Sequence, residues 1–237
     1  MTTSDETAFP DRVARVLEPG LDVLDAVDRV IAACVEATSA IEAGIVIADR
    51  FGTLQVLAST SERSSEAEEA QLGTDEGSCL DCYRTGTTVD VADVSTHESE
   101  WPAFVTTMRD RGLQGTFAEP IRLRDRTIGS LCVFADHTRG HSYEDVVLIQ
   151  LLADAASAAL VRQRDRGGPV TIEDRVEDAL GARVLVEQAK GALAYRRGIR
   201  MDEAFQLLRR AAADAGRSLR ALAEDVVHRG ADLGSTG

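Results

Sequence analysis

Lys190 is the only lysine in a chain of 237 residues whose other cations are all arginine. Wound as a helix at about 100° per residue, the stretch around it puts Arg183, Lys190 and Arg197 on one side, with Glu187, Gly191 and Ala194 beside them. Leu185, Ala189, Ala192 and Leu193 fall on the other side and read as core. A row of cations neutralises phosphates and releases their counterions, so this side is a candidate phosphate-binding face. Glycine inside a helix costs about 1 kcal/mol relative to alanine. Gly191 on that face therefore points either to a phosphate backbone or helix coming close, or to tight packing against a neighbouring helix.

The cysteines offer a second chemistry. A zinc site needs about four ligands, usually as two pairs. Cys79 and Cys82 form one pair, but Cys34 and Cys132 lie in an expected helix and an expected strand. His97, His137, His141 and His228 show no ligand spacing. No metal or cofactor is expected, and the thiols are expected to be buried and inert. A disulfide scaffold is not expected in a chain of this length. There is no glycine loop for a nucleotide and no Ser-His-Asp order with a supporting motif, so catalysis is not expected.

Charge narrows the partners. The net charge is −14, yet residues 183–229 hold more cations than acids. An acidic body repels polyanions, and a local basic face on it can still bind one. The first residues are polar and acidic, unlike a secretory signal, and no run of about 18 apolar residues occurs. A cytoplasmic protein without a membrane span is expected.

The elements that must position these residues follow from periodicity. Leu21, Leu24, Val27, Ile31 and Val35 predict an amphipathic helix over 21–38. Residues 43–49 and 53–60 predict a hairpin, residues 87–94 a strand, and 116–125 with 127–136 a second hairpin. A polar segment spans 61–78, a short helix 99–111, and a long apolar helix 142–165. Gly167, Gly168 and Pro169 break the chain. Thr171 with Asp174 then makes a capping box that starts a helix over 172–197. Further helices are predicted over 201–215 and from Ser218 onward, the last burying Leu219, Leu222, Ala223, Val226 and Val227.

The order of elements, with the stretches 76–94 and 120–135, resembles the GAF domain. The resemblance implies an α+β sensor domain, an antiparallel sheet flanked by helices, responding to an unknown small-molecule or protein signal. Glu187, Gln188, Ala189, Lys190, Gly191, Leu193, Arg196 and Gly198 resemble the ANTAR domain, as do Asp202, Glu203, Ala204, Phe205, Leu208, Leu219 and Ala223. That resemblance implies an all-α three-helix module binding RNA hairpins in leader transcripts as a homodimer, and so a transcription antiterminator. Ala194 departs from the family's methionine, and Arg200 from its Ser or Thr cap. The expected division is an irregular segment 1–20, a GAF domain 21–165, a linker 166–171, an ANTAR domain 172–230 and a flexible tail 231–237. The expected RNA-binding residues are Arg183, Gln188, Ala189, Lys190, Gly191, Arg196 and Arg197. Two rivals stand beside this reading: a DNA-binding regulator reading through the last helix, and a GAF-fold reductase using Cys79, Cys82 and Cys132.

Overall fold

The computed structural model describes residue 18, residues 21–162 and residues 171–233. The expected segment 1–20 and linker 166–171 therefore lie almost wholly outside the described residues. Of the expected tail, residues 231–233 are described, and Leu233 packs against the core.

Helix α1 (Val23–Ala37) begins where the Asp22 side chain accepts from the Leu24 N–H at 3.0 Å. Strands β1 (Glu42–Ala48) and β2 (Leu54–Ser59) follow. The polar stretch after them folds as two helices, α2 (Glu62–Thr74) and α3 (Ser78–Thr85). The predicted strand over 87–94 shrinks to β3 (Val89–Val91), and α4 spans Pro102–Asp110. Strands β4 (Gly115–Leu123) and β5 (Arg126–Ala135) form the second hairpin, and α5 (Tyr143–Arg162) completes the first module. The strand order is β2-β1-β5-β4-β3, with every pair antiparallel.

Successive strand residues point to opposite faces, so the sheet carries two apolar layers. Ile45, Ile47, Leu131 and Val133 face α1 and α5. Val46, Ala48, Cys132 and Phe134 face α2, α3 and α4.

The second module is α6 (Ile172–Arg197), α7 (Met201–Ala215) and α8 (Leu219–Arg229). Its core of Val186, Leu193, Phe205, Leu208, Leu222 and Val226 is continuous with the layer on α1 and α5. So small a bundle needs such help. Helix α6 packs on α1, α5 and β2, and α8 packs on α1.

Buried polar groups tie α2 to the sheet. Glu68 is fully buried and accepts from the Ser59 hydroxyl at 2.9 Å. A Cβ at Gly44 of β1 would overlap its carboxyl group, so the close approach of helix and strand needs glycine there. Burial pushes Glu68 from an ordinary 4.5 up to about 8. The folded protein thus keeps a proton that the unfolded chain releases. The resulting stability is full below about 4.5 and is lost as pH rises through about 8. Glu68→Gln mimics the protonated form at every pH. Urea unfolding at about pH 5 and about pH 9 should show wild type losing more stability with alkalinity than the variant. Parallel losses would mean that Glu68 is ionised throughout.

Candidate nucleic-acid interface

Helix α6 begins at the anticipated capping box, where the Thr171 hydroxyl accepts from the Asp174 N–H at 3.1 Å and Asp174 Oδ2 accepts from the Thr171 N–H at 3.1 Å. It ends at Gly198, whose φ of 63° is the left-handed conformation glycine adopts at little cost. These ends match the sequence reading. The environment of the cationic side does not.

The face expected to meet solvent is covered. Lys190 is 1% exposed and Arg183 8% exposed. The Lys190 ammonium ion-pairs with Glu62, the first residue of α2, and lies 3.0 and 2.8 Å from the two carboxylate oxygens of Glu187. Glu187 also holds Arg183 at 2.6 Å. The ammonium stands 4.9 Å from the centre of the Phe205 ring, and the Arg209 guanidinium 4.1 Å from it. Helical winding separated the cations from the apolar side correctly. It could not show that the first module packs against them, because that contact joins residues more than a hundred positions apart.

The remaining expected residues divide. Ala189 is fully buried in the core, so it offers no approach to a ligand. Arg197 is held by Asp232 at 2.5 and 3.0 Å and by the Leu233 carbonyl. Gln188 and Arg196 are exposed, although Arg196 also donates to the Val226 carbonyl at 3.4 Å. Gly191 is half-buried, and a Cβ added there would meet nothing within 4 Å. Packing against a neighbouring helix therefore does not explain this glycine. Tyr195 is 90% exposed one turn after it, and Val184 is 55% exposed two turns before it. Gln188, Gly191, Tyr195 and Arg196 thus form an open edge, while Arg183 and Lys190 lie under the first module.

The seam between modules carries further pairs that sequence reasoning missed. Arg209 ion-pairs with the half-buried Asp28. The Leu219 N–H donates to Asp25 Oδ1 at 3.0 Å, so a carboxylate of α1 caps α8. Burial pushes Asp25 up to about 6. The Glu62 N–H donates to Asp202 Oδ1 at 3.0 Å, so the second module in turn satisfies the start of α2. Within the second module Arg220 grips Asp178 at 2.6 and 2.7 Å, a pairing that raises its pKa, and it reaches Asp22 across the seam at 3.8 Å. Each cation occurs in the sequence, but its partner is remote and no local spacing marks the pair.

The cysteines also differ from expectation. Cys79 and Cys132 are joined by a disulfide, with Cα atoms 6.2 Å apart, while Cys34 and Cys82 are buried thiols. Among the described residues no group of three or more His, Cys, Asp or Glu side chains could hold a metal ion.

An antiparallel five-stranded sheet layered by helices, with a three-helix bundle docked on it, defines a sensor module joined to an effector module. The chain belongs to the GAF domain family, whose model matches residues 20–161, and residues 174–227 match the ANTAR domain model. Among solved structures, the chain is similar to the GAF domain of a phosphoenolpyruvate-protein phosphotransferase from Acinetobacter. That match has 15% identity and a TM-score of 0.55, covering 72% of this chain and all of that one. The corresponding domain from Coxiella burnetii matches at 17% identity and a TM-score of 0.51, covering 67% of this chain and 95% of that one. Both likenesses concern the fold. No curated protein matches the chain significantly. ANTAR domains are RNA-binding antitermination modules and GAF domains are sensors, so the chain has the architecture of a signal-responsive transcription regulator. No helix of the described residues is long and apolar enough to cross a membrane.

The burial of Lys190 changes what its removal should do. Its stem is packed and its ammonium makes charge-assisted hydrogen bonds, so Lys190→Ala should cost about 1–3 kcal/mol in urea unfolding. A variant as stable as wild type would place Lys190 in solvent, as the sequence alone implied.

Proposed function

We propose that this protein is a cytoplasmic antiterminator that binds RNA hairpins in leader transcripts through α6, and that the arrangement described above is its closed form. The observation that carries this reading is the Lys190 ammonium enclosed by the carboxylates of Glu62 and Glu187. Carboxylate oxygens stand there as phosphate oxygens would stand in a complex. Arg197, enclosed by Asp232, repeats the pattern one helical stretch on. Gln188, Gly191 and Tyr195 would form the first contact, since unpaired loop bases stack on aromatic rings and offer their edges to amides. Lys190 would join once Glu62 withdraws. Avidity supports a homodimer, because two sites on one dimer gain roughly 10²–10⁴ when their spacing fits a pair of hairpins.

Helix α5 offers a surface for that dimer. Leu151 and Val161 are each 41% exposed, and with Val147 and Ala158 they form a stripe at alternating spacings of four, seven and three residues. That is the pattern of a coiled-coil seam, interrupted by Asp154. Leu152 is 1% exposed and belongs to the core, so substitutions there would test folding rather than assembly.

Two outcomes are expected with a pool of randomised-loop RNA hairpins as probe. Glu62→Gln should bind the pool more tightly than wild type, by up to about fivefold, since one displaced ion pair is worth about 1 kcal/mol, and binding should weaken steeply with salt. A variant that binds duplex DNA better than hairpins would favour the rival DNA-binding reading instead. Leu151→Glu should sediment as a monomer and lose any preference for RNAs carrying two hairpins over one. A dimeric Leu151→Glu protein would remove the α5 stripe from the interface.

A further inference from the structure

The disulfide sits where the sensor sheet meets the helix that covers Lys190. Cys132 lies on β5, the central strand, paired with Gly44 of β1 and Ala118 of β4. Cys79 lies in the first turn of α3. The Gln71 side chain of α2 holds it twice: Oε1 accepts from the Cys79 N–H at 2.9 Å, and Nε2 donates to Cys79 Sγ at 3.1 Å. The Ser130 hydroxyl of β5 donates to the Cys79 carbonyl at 3.1 Å. Gln71 is fully buried, and a Cβ at Gly77 would overlap it, so this contact has no slack.

Helix α2 then runs from Gln71 back to Glu62, a length of about 14 Å at 1.5 Å per residue. At that far end stand the ion pair to Lys190 and the hydrogen bond to Asp202. One rigid helix therefore grips the disulfide at one end and the second module at the other. Two reduced sulfurs cannot stay at bonding distance. They must part to van der Waals contact, and a close-packed layer has no void to absorb that movement. Helix α3 must lift from β5, and Gln71 must follow or let go.

We propose that Cys79 and Cys132 form a reversible dithiol–disulfide pair oxidised by hydroperoxides, and that its reduction loosens the hold of α2 on Lys190. The second half of this rests on the RNA-binding reading above. The chemistry balances. Cys79 is the attacking thiolate, because the Gln71 amide donates to its sulfur and the helix start favours negative charge. It attacks one oxygen of ROOH, the O–O bond breaks, and ROH leaves with a proton. The Cys132 thiol then attacks the resulting sulfenic acid and expels water. Two thiols and ROOH give the disulfide, ROH and water, and the two electrons lost by sulfur are gained by the peroxide. A dithiol reductant returns two electrons and two protons and leaves as its own disulfide. In the cytoplasm, the compartment proposed above, such bonds are usually catalytic or sensory rather than structural.

The protein supplies its own reporter. Trp101, the single tryptophan, donates from Nε1 to Asp81 Oδ2 at 3.1 Å, and Asp81 lies on α3 two residues after Cys79. Full-length protein should be cycled between hydrogen peroxide and dithiothreitol under native conditions. Alkylation and mass spectrometry should count two free thiols, Cys34 and Cys82, after peroxide and four after reduction. Trp101 emission should shift reversibly with the count. The reduced protein should hold the hairpin pool more tightly, within the roughly 5–150-fold span usual for coupled sites. Cys34→Ser should cycle like wild type with one thiol fewer in each state, and Cys79→Ser, which lacks the attacking thiolate, should keep its three thiols and the reduced-state Trp101 emission after peroxide. A bond that yields only when the protein unfolds would make the pair a structural staple and overturn the proposal. So would thiols that peroxide leaves free, or equal RNA affinity in both states while Glu62→Gln binds RNA. Cycling thiols and a shifting Trp101 with no RNA retained by any form would uphold the redox pair and count against the RNA-binding reading.

Discussion

The ammonium of Lys190 is a full charge held almost out of water, and the relation between the two modules turns on it. A buried cation is tolerated only where anions and hydrogen-bond acceptors replace its hydration. Glu187, one turn earlier on the same helix, supplies part of that, and Glu62 supplies the rest from the sensor module. The Phe205 ring closes the site from below. Losing Glu62 while the seam stays shut would leave the charge undercompensated. The favourable states are therefore two: closed with both carboxylates in place, or open with water or another anion in the place of Glu62. Intermediate positions are disfavoured on electrostatic grounds.

This accounts for how an acidic protein can carry a row of cations on one helix. The cations of the second module are matched by acids of the first: Lys190 by Glu62, Arg209 by Asp28, Arg220 by Asp22 at 3.8 Å. In the reverse direction, Arg126 meets Glu173 and Arg50 meets Glu177, each at 3.1 Å. The acidic excess of the first module is thus partly spent on covering a basic one. On the RNA-binding reading proposed above, an intramolecular carboxylate would compete with RNA at a high effective concentration. Salt weakens both partners of that competition, but the more exposed phosphate contacts lose more.

Much of this was legible in the sequence. The boundaries of α6 and α7 follow from Thr171, Gly198 and Gly216, residues whose local chemistry fixes helix ends. The hairpins and the long α5 follow from alternation and apolar runs. The short β3 was overcalled because alternation in 87–94 continues past the point where β4 offers partners. The site was half legible. The residue types around Lys190 were informative, but winding one helix assumes that everything opposite its core is solvent. That assumption fails for α6, which is sandwiched between α7 and α8 on one side and α1, β2 and the start of α2 on the other. The disulfide was hidden for a related reason. Cys79 and Cys132 are 53 residues apart, and their meeting depends on which way α3 crosses β5.

The distribution of apolar and polar contacts also limits how the closed form can open. The first half of α6, through Val176, Ala179, Ala182 and Val186, shares a continuous core with α1 and α5. Each such valine contributes on the order of 1.5–3 kcal/mol when buried and each alanine about 0.8 kcal/mol, so wholesale undocking is prohibitive. The contact between α2 and the second module is different in kind, being an ion pair and a backbone hydrogen bond, both at Glu62. Water or phosphate can replace those partners at small net cost, whereas nothing in solution replaces a packed valine. Opening is therefore confined to the end of α2, with the apolar part of the seam as the fixed pivot. A displacement of one helix by the thickness of a sulfur contact is then enough to change access to Lys190, because the motion never has to break the shared core.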